Sequence, residues 1–330
     1  MENISAFSPI LYTLQGMPMI AGFLDYLSLE RAYSPHTVMS YENDLRAFGA
    51  YLEQTERGIE LKDADADLVR GWAMELMSSG MKATSVNRKL SSLRTFYKYL
   101  LRKGKISVSP MQHVSGPKKS RPLPQFVREG EMERMLCATA QREGWQGVRE
   151  HVILQLFYET GIRLSELVGL NDEDVDFGRK TIKVTGKRNK QRIIPIGQGL
   201  ADSLRRYMEM RDGELSALKR STLAEGESSL RSSNLNPLFI TDRAQRVYPE
   251  WVYRLVRKNL SQVVTLKKRS PHVLRHTFAT AMLNNEAELE AVKELMGHES
   301  VSTTQIYTHT TFEELKKAYK QAHPRASINQ

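Results

Sequence analysis

The sequence predicts a mainly α protein in two parts: an all-helical N-terminal domain, then a larger, mostly helical α+β domain containing one small antiparallel sheet. Three observations carry that reading. Apolar residues recur at helical spacing through most of the chain. Thr181 to Ile196 departs from it: Thr181 to Thr185 alternates, Gly186-Lys187-Arg188-Asn189-Lys190-Gln191 is turn-like, and Arg192 to Ile196 is β-branched, a hairpin with a basic tip. Finally, Ser115-Gly116-Pro117-Lys118-Lys119-Ser120-Arg121-Pro122-Leu123-Pro124 interrupts regular structure with Gly and Pro and reads as a linker. The expected boundaries are residues 1–18 for an N-terminal extension, 19–114 for the first domain, 115–124 for the linker and 125–330 for the second domain.

In the first domain, Met19 to Tyr33 places Phe23, Leu24, Leu27 and Leu29 at helical intervals. Ser34-Pro35 then suits an N-cap followed by the first helical position. The helix that follows carries Val38, Tyr41, Leu45, Phe48 and Leu52 on one stripe. A third helix is expected near Leu68 to Met77. Thr84 is the expected cap of a fourth, to about Arg102, with Val86, Leu90, Leu93, Phe96, Tyr97 and Leu100 facing inward. Four helices with short connections make a small helical domain.

In the second domain, helices are expected at Glu129 to Arg142 and at Val148 to Thr160, the latter ended by Gly161. The hairpin follows, then a helix over Leu200 to Leu218. Ser221 to Asn236 is polar and Ser-rich and reads as a surface loop. Trp251 to Val264 is a basic amphipathic helix. Ala287 to Met296 is helical with Gly297 at its stop, and Ser302-x-x-Gln305 fits a capping box that starts a short helix bearing Tyr307. The tail, Phe312 to Ala322, carries Phe312, Leu315, Ala318 and Tyr319 as an apolar stripe.

The formal charge of +10 over 330 residues favours an anionic partner. It is concentrated: Leu76 to Arg128 contains twelve Lys and Arg and no Asp or Glu, so the rest of the chain sums to −2. Lys82, just before the predicted fourth helix, and Arg88, Lys89, Arg94 and Lys98 on it lack an acidic neighbour in sequence. With the linker's Lys118, Lys119 and Arg121 they read as a surface that tracks a DNA backbone. A basic extended connector also suits two domains closing around a polyanion.

Cys137 is the single cysteine, which excludes an internal disulfide and suits a reducing compartment. Its place beside Met132, Met135 and Leu136 predicts a buried structural thiol. The first 18 residues lack the pattern of a signal peptide, and no run of about 18 apolar residues exists to span a bilayer, so a cytoplasmic protein with no membrane partner is expected.

Three stretches carry candidate chemistry: Thr160-Gly161-Ile162-Arg163-Leu164-Ser165-Glu166, Pro271-His272-Val273-Leu274-Arg275-His276, and Gly297-His298 through Thr308-His309. Each residue has an ordinary explanation. Arg163 suits an ion pair with Glu166, and Lys187 suits a solvated hairpin tip. His272 and His276 lie four apart, but Val273 stands where a zinc protease needs its Glu, and no carboxylate or Cys cluster joins them, so no metal site is expected. A nucleophile elbow and a Gly-rich phosphate loop are both missing from the sequence.

Order and spacing are more informative than any one residue. Arg163, Lys187, His272-x-x-Arg275, His298 and Tyr307 form the signature that this chain shares with the tyrosine recombinase, or phage integrase, family. Thr-Gly-Ile-Arg-Leu-Ser-Glu-Leu, the Gly-Lys-x-x-Lys hairpin, His-x-Leu-Arg-His-Thr-Phe-Ala-Thr, Leu-Met-Gly-His and Thr-Gln-Ile-Tyr-Thr-His all resemble it. The tail Ala-Tyr-Lys-Gln-Ala-His-Pro-Arg-Ala resembles the Xer branch. The resemblance implies that residues 19–114 form a SAM-like core-binding domain and residues 125–330 the catalytic domain.

It also implies roles. Tyr307 is the expected nucleophile, forming a 3′-phosphotyrosine. Arg163 and Arg275 are expected on the non-bridging phosphate oxygens. Lys187 is expected as general acid to the 5′-oxygen, His272 as an aid to deprotonation of Tyr307, and His298 as a hydrogen-bond donor to the phosphate. No cofactor is implied. The partners implied are a double-stranded recombination site and a second protomer or paralogue in a tetramer, with the last helix docked into the neighbouring subunit. The activity implied is Xer-type resolution of chromosome dimers. An integrase or invertase of a mobile element and a non-catalytic DNA-binding protein are the alternatives.

Overall fold

The computed structural model describes residues 18–55, 58–118, 125–186, 189–224, 236–266, 268–297 and 312–326. The chain divides into two compact units, residues 1–122 and 123–330.

The first unit contains α1 (Pro18–Asp25), α2 (Pro35–Thr55), α3 (Ala66–Ser78) and α4 (Ala83–Arg102). The helix expected to run unbroken to Tyr33 instead widens after α1 into a π-helical turn, Tyr26–Glu30. Ser34 accepts a hydrogen bond from the Thr37 amide at 3.3 Å, and Pro35 opens α2, as the sequence predicts. Asp65 caps α3 by accepting from the amides of Asp67 and Leu68, both at 2.9 Å. The cap expected at Thr84 is not used: α4 opens at Ala83, with Lys82 in the capping position and no side-chain cap bond. Phe23, Leu45, Phe48, Trp72, Leu93 and Phe96 meet in one core. Each such side chain removed from water contributes about 1.5–3 kcal/mol.

The second unit is built around α6 (Gly144–Thr160), which is buried from Val152 to Thr160. Around it lie α5 (Glu129–Ala140), α7 (Leu164–Gly169), α8 (Gln198–Ala224), α9 (Pro249–Val263), α10 (Pro271–Asn284), α11 (Leu289–Met296) and α12 (Phe312–Ala322). The sheet is antiparallel with order β1-β2-β3. Its strands β2 (Thr181–Thr185) and β3 (Gln191–Pro195) form the predicted hairpin, with Ile182 opposite Ile194 and Thr185 opposite Gln191. The edge strand β1 (Val175–Asp176) is too short to carry a period in sequence.

Two expectations change here. Cys137 is exposed, not buried. The buried stripe of α5 is Met132, Met135, Leu136 and Thr139, and one residue past Leu136 turns the chain about 100° off it. Helix α8 continues to Ala224, beyond Leu218 and into the stretch expected to be a loop, while residues 225–235 lie outside the described residues. The extension up to residue 17 lies outside them as well.

The tail helix α12 packs on its own unit. Leu315, Tyr319 and Ala322 are buried with Phe278 and Met282 of α10 and Val292 and Leu295 of α11. In this single chain, that apolar stripe is covered in cis, where the resemblance leads one to expect a neighbouring subunit. Among the described residues, no helix is long and apolar enough to cross a membrane.

Candidate active site

Gly161 ends α6 in the left-handed conformation (φ 57°), and the chain then turns sharply through Ile162 to Arg163, the cap residue of α7. A Cβ at Gly161 would meet the Phe278 ring at 2.4 Å, so both the conformation and the close packing require glycine. The Arg163 amide donates to Glu166 Oε2 at 2.9 Å, and its Nη1 donates to Oε1 at 2.7 Å. The ordinary ion pair is therefore present, but it uses only part of the guanidinium. Arg163 Nη2 reaches across the fold to the Gly297 carbonyl at 2.6 Å.

Arg275 projects from the second turn of α10, one turn beyond His272. It donates through Nη1 to the Gly161 carbonyl and through Nη2 to the Met296 carbonyl. A third guanidinium completes the cluster. Arg192 of β3 grips Glu166 with both ends of its fork, at 2.6 and 2.9 Å, and its Nε donates to the Leu295 carbonyl at 3.0 Å. Three arginines from α7, β3 and α10 thus converge on three consecutive carbonyls, Leu295, Met296 and Gly297. A helix leaves its last carbonyls without intrahelical donors and carries partial negative charge at that end, so the end of α11 is a natural cation site.

The electrostatics follow from this crowding. Burial alone would raise the Glu166 carboxyl, but hydrogen bonds from Arg192 and the Arg163 amide outweigh it and hold the group at about 2. Arg275 is lowered to about 10, first by burial and then by the nearby charges of Arg163 and Arg192. It therefore stays protonated at neutral pH. Three guanidiniums facing one carboxylate leave an excess of two positive charges at a site where Arg163 remains one-third exposed. That suits an anion with several oxygens, above all a phosphodiester.

Of the sequence-predicted set, the structure brings Arg163 and Arg275 together and places His272 exposed one turn from Arg275. Lys187, His298 and Tyr307 lie outside the described residues, as does the Ser302–Gln305 capping box. The described neighbours of two of them touch the cluster. A Cβ built at Gly186, next to Lys187, would lie 3.3 Å from Glu166 Oε1. Gly297, next to His298, is left-handed (φ 61°) and would place a Cβ 3.1 Å from Arg192 Nη1. Among the described residues, no group of three or more His, Cys, Asp or Glu could hold a metal ion.

The basic face of the first unit needs one correction. It does have an acidic partner: buried Asp44 of α2 takes both ends of the Arg88 fork, at 2.6 and 2.8 Å, and Lys89 Nζ at 3.1 Å. Lys89 also lies over the Trp72 ring. The sequence hides this because Asp44 is 44 positions from Arg88. Lys82, Arg94, Lys98 and Lys118 are exposed, whereas Lys119 and Arg121 lie outside the described residues. Arg94, Lys98 and Arg102 line a groove with Arg31, Tyr26 and Tyr33. In the second unit, α9 exposes Tyr253, Arg254, Arg257 and Lys258 on one side.

Residues 125–314 match the Phage integrase family and residues 20–104 match the Phage integrase N-terminal SAM-like domain. Tyrosine recombinase XerC of Chlorobaculum tepidum is 38% identical over 326 residues, covering 92% of this chain and 94% of that protein. Tyrosine recombinase XerC of Staphylococcus carnosus is 40% identical over 304 residues, covering 92% and 96%. Among solved structures, the Tn1549 transposon integrase in complex with circular intermediate DNA aligns with a TM-score of 0.66 at 20% identity, covering 91% of this chain and 97% of that one. The XerH recombinase in a post-cleavage complex with palindromic difH substrate aligns with a TM-score of 0.65 at 20% identity, covering 88% and 81%.

Proposed function

Since the chain belongs to the phage integrase family, and within it to the Xer-type site-specific tyrosine recombinases, we propose that it cuts and rejoins duplex DNA through a 3′-phosphotyrosine on Tyr307. The observation that carries this reading is the arginine cluster. Arg275 donates to carbonyls, and Arg163 shares Glu166 with Arg192, so three guanidiniums meet one carboxylate and positive charge remains available to a phosphate. In the transition state of in-line attack, negative charge grows on the non-bridging oxygens, and fixed guanidiniums stabilise it without reorganising.

Tyr307 attacks phosphorus, forms the phosphotyrosyl ester and releases a 5′-hydroxyl. Lys187, beside the glycine that abuts Glu166, gives the proton to the departing 5′-oxygen. His272 takes the phenol proton, and His298, beside Gly297, donates to the phosphate. The ester retains the energy of the broken diester, so rejoining needs no nucleotide cofactor. Arg94 and Lys98, with Lys82 and Lys118, track the DNA backbone. Arg88 and Lys89 divide their charge between DNA and Asp44. The working assembly is a tetramer on two sites, with a second protomer or paralogue, and α12 leaves its cis seat to dock on a neighbour. The role is resolution of chromosome dimers in the cytoplasm.

Covalent trapping tests this. Wild-type protein incubated with nicked duplex should give a denaturation-resistant adduct, and Tyr307→Phe should give none while binding the same duplex. An adduct formed by the Phe variant would show that another side chain is the nucleophile.

A further inference from the structure

We infer that Arg192 is a positioning residue for the phosphate-binding pair, fixing the free face of Arg163 by holding Glu166 and the end of α11 in one grip. The inference rests on the recombinase reading above and adds to it a residue outside the set that the sequence singled out.

Arg192 sits near the start of β3, paired with Val184 across the hairpin. Its side chain is only 16% exposed and its partner carboxylate 1%. All three of its nitrogens are used: two donate to Glu166 and one to the Leu295 carbonyl. These contacts restrain two things that touch Arg163. Glu166 holds Arg163 Nη1, and the chain just past Leu295 holds Arg163 Nη2 through Gly297. Gly297 leaves room for the Arg192 side chain, whose Cδ, Nε and Nη1 lie 3.1–3.2 Å from where a Cβ would stand.

Without Arg192, the buried Glu166 carboxylate would have Arg163 as its remaining direct ion-pair partner. Arg163 would then turn further onto the acid, and its charge would be spent inside the protein. The end of α11 would also lose one of its three cation contacts, immediately before His298. A displacement of about 1 Å in a group that stabilises the transition state costs on the order of 100-fold in rate.

A purely architectural Arg192 would affect folding and binding, with cleavage following them. A positioning Arg192 separates these. The charged groups facing Glu166 are Arg163, Arg192 and Arg275, and with Arg192 removed, burial pushes the carboxyl upward. The variant's deficit relative to wild type should therefore shrink on acidification, as a neutral Glu166 releases Arg163.

The probe is nicked duplex DNA selected from a randomised library by covalent trapping with wild-type protein. Single-turnover cleavage at saturating duplex, duplex affinity, thermal midpoint and the pH profile of cleavage are measured for wild type, Arg192→Gln and Arg192→Lys. The expected result is duplex affinity within about twofold of wild type and cleavage slowed on the order of 100-fold in the Gln variant. The Gln variant's deficit relative to wild type should also shrink on acidification. The Lys variant, which keeps one charge but no fork, should lie between. If the Gln variant does not fold, the Lys variant decides by the same split between binding and cleavage. The inference is overturned if either folded variant cleaves within about threefold of wild type at every pH, or if the loss of cleavage equals the loss of binding. If wild-type protein forms no adduct at all, the recombinase reading itself falls and takes this inference with it.

Discussion

Replacing Glu159 by glutamine is expected to stabilise the second unit at alkaline pH and to change little at acid pH. Glu159 lies on α6 beneath the tail, with its side chain 1% exposed. Gln155 donates to Oε1 at 2.9 Å, and Arg325 Nε approaches the same oxygen at 3.3 Å. Oε2 has no hydrogen-bond partner among the described residues. Burial is the dominant influence and raises the carboxyl from 4.5 to about 7, against the opposing pulls of Gln155 and Arg325. The folded state therefore holds this proton more tightly than the unfolded chain does. The group's contribution to stability is complete below pH 4.5 and is lost as pH rises through about 7. At about 1.4 kcal/mol per pH unit, that loss is about 3 kcal/mol. Glutamine mimics the protonated acid and never ionises, so it avoids most of the loss, less the attraction to Arg325. Urea unfolding of both proteins at roughly pH 5 and roughly pH 8.5 measures the difference. Buried His323 and His151, each lowered to about 4 by burial first, are common to both proteins and cancel. An equal difference at the two pH values, or a glutamine variant weaker than wild type at the higher one, would refute the argument.

Two further outcomes follow from the charges. Arg94→Ala and Lys98→Ala should each flatten the dependence of duplex affinity on salt by about one phosphate contact without moving the unfolding midpoint. Arg88→Ala should also lower that midpoint, since it strips the fork from buried Asp44 at a cost of about 1–3 kcal/mol. A change in preferred sequence on losing Arg94 would mean that it reads a base edge instead. Cleavage should proceed at an unchanged rate in excess EDTA, and loss restored by a divalent ion would overturn the metal-free account.

Most helices were legible because their signals are local. Gly161 and Gly297 end helices in the left-handed conformation, Pro35 opens one, and the change of period marks the hairpin. What the sequence hides is long-range. Asp44 meets Arg88 from 44 positions away, and Arg192 meets Glu166 from 26. Arg192 looks in sequence like an ordinary strand residue beside β-branched neighbours. The available clue was Glu166 itself, because a carboxylate destined for burial between Ser165 and Leu167 needs more than one cation. Cys137 failed for a different reason, since an apolar neighbourhood in sequence does not say which side of a helix a residue occupies.

The same residue type does opposite work in this chain, and the difference lies in what each guanidinium is given to hold. Arg211 is buried with a carboxylate of its own, donating to Asp172 at 2.7 and 2.8 Å. Arg88 is likewise matched to Asp44. Such pairs close on themselves and leave little charge for a ligand. At the end of α11, Arg163 and Arg192 share Glu166, and they and Arg275 donate their remaining bonds to main-chain carbonyls. Carbonyls fix orientation without cancelling charge, and the negative end of the helix dipole makes the crowding tolerable before any anion arrives. On the proposed reading, a phosphate entering there would meet donors already aimed and still cationic, an arrangement that favours a transition state over a ground state.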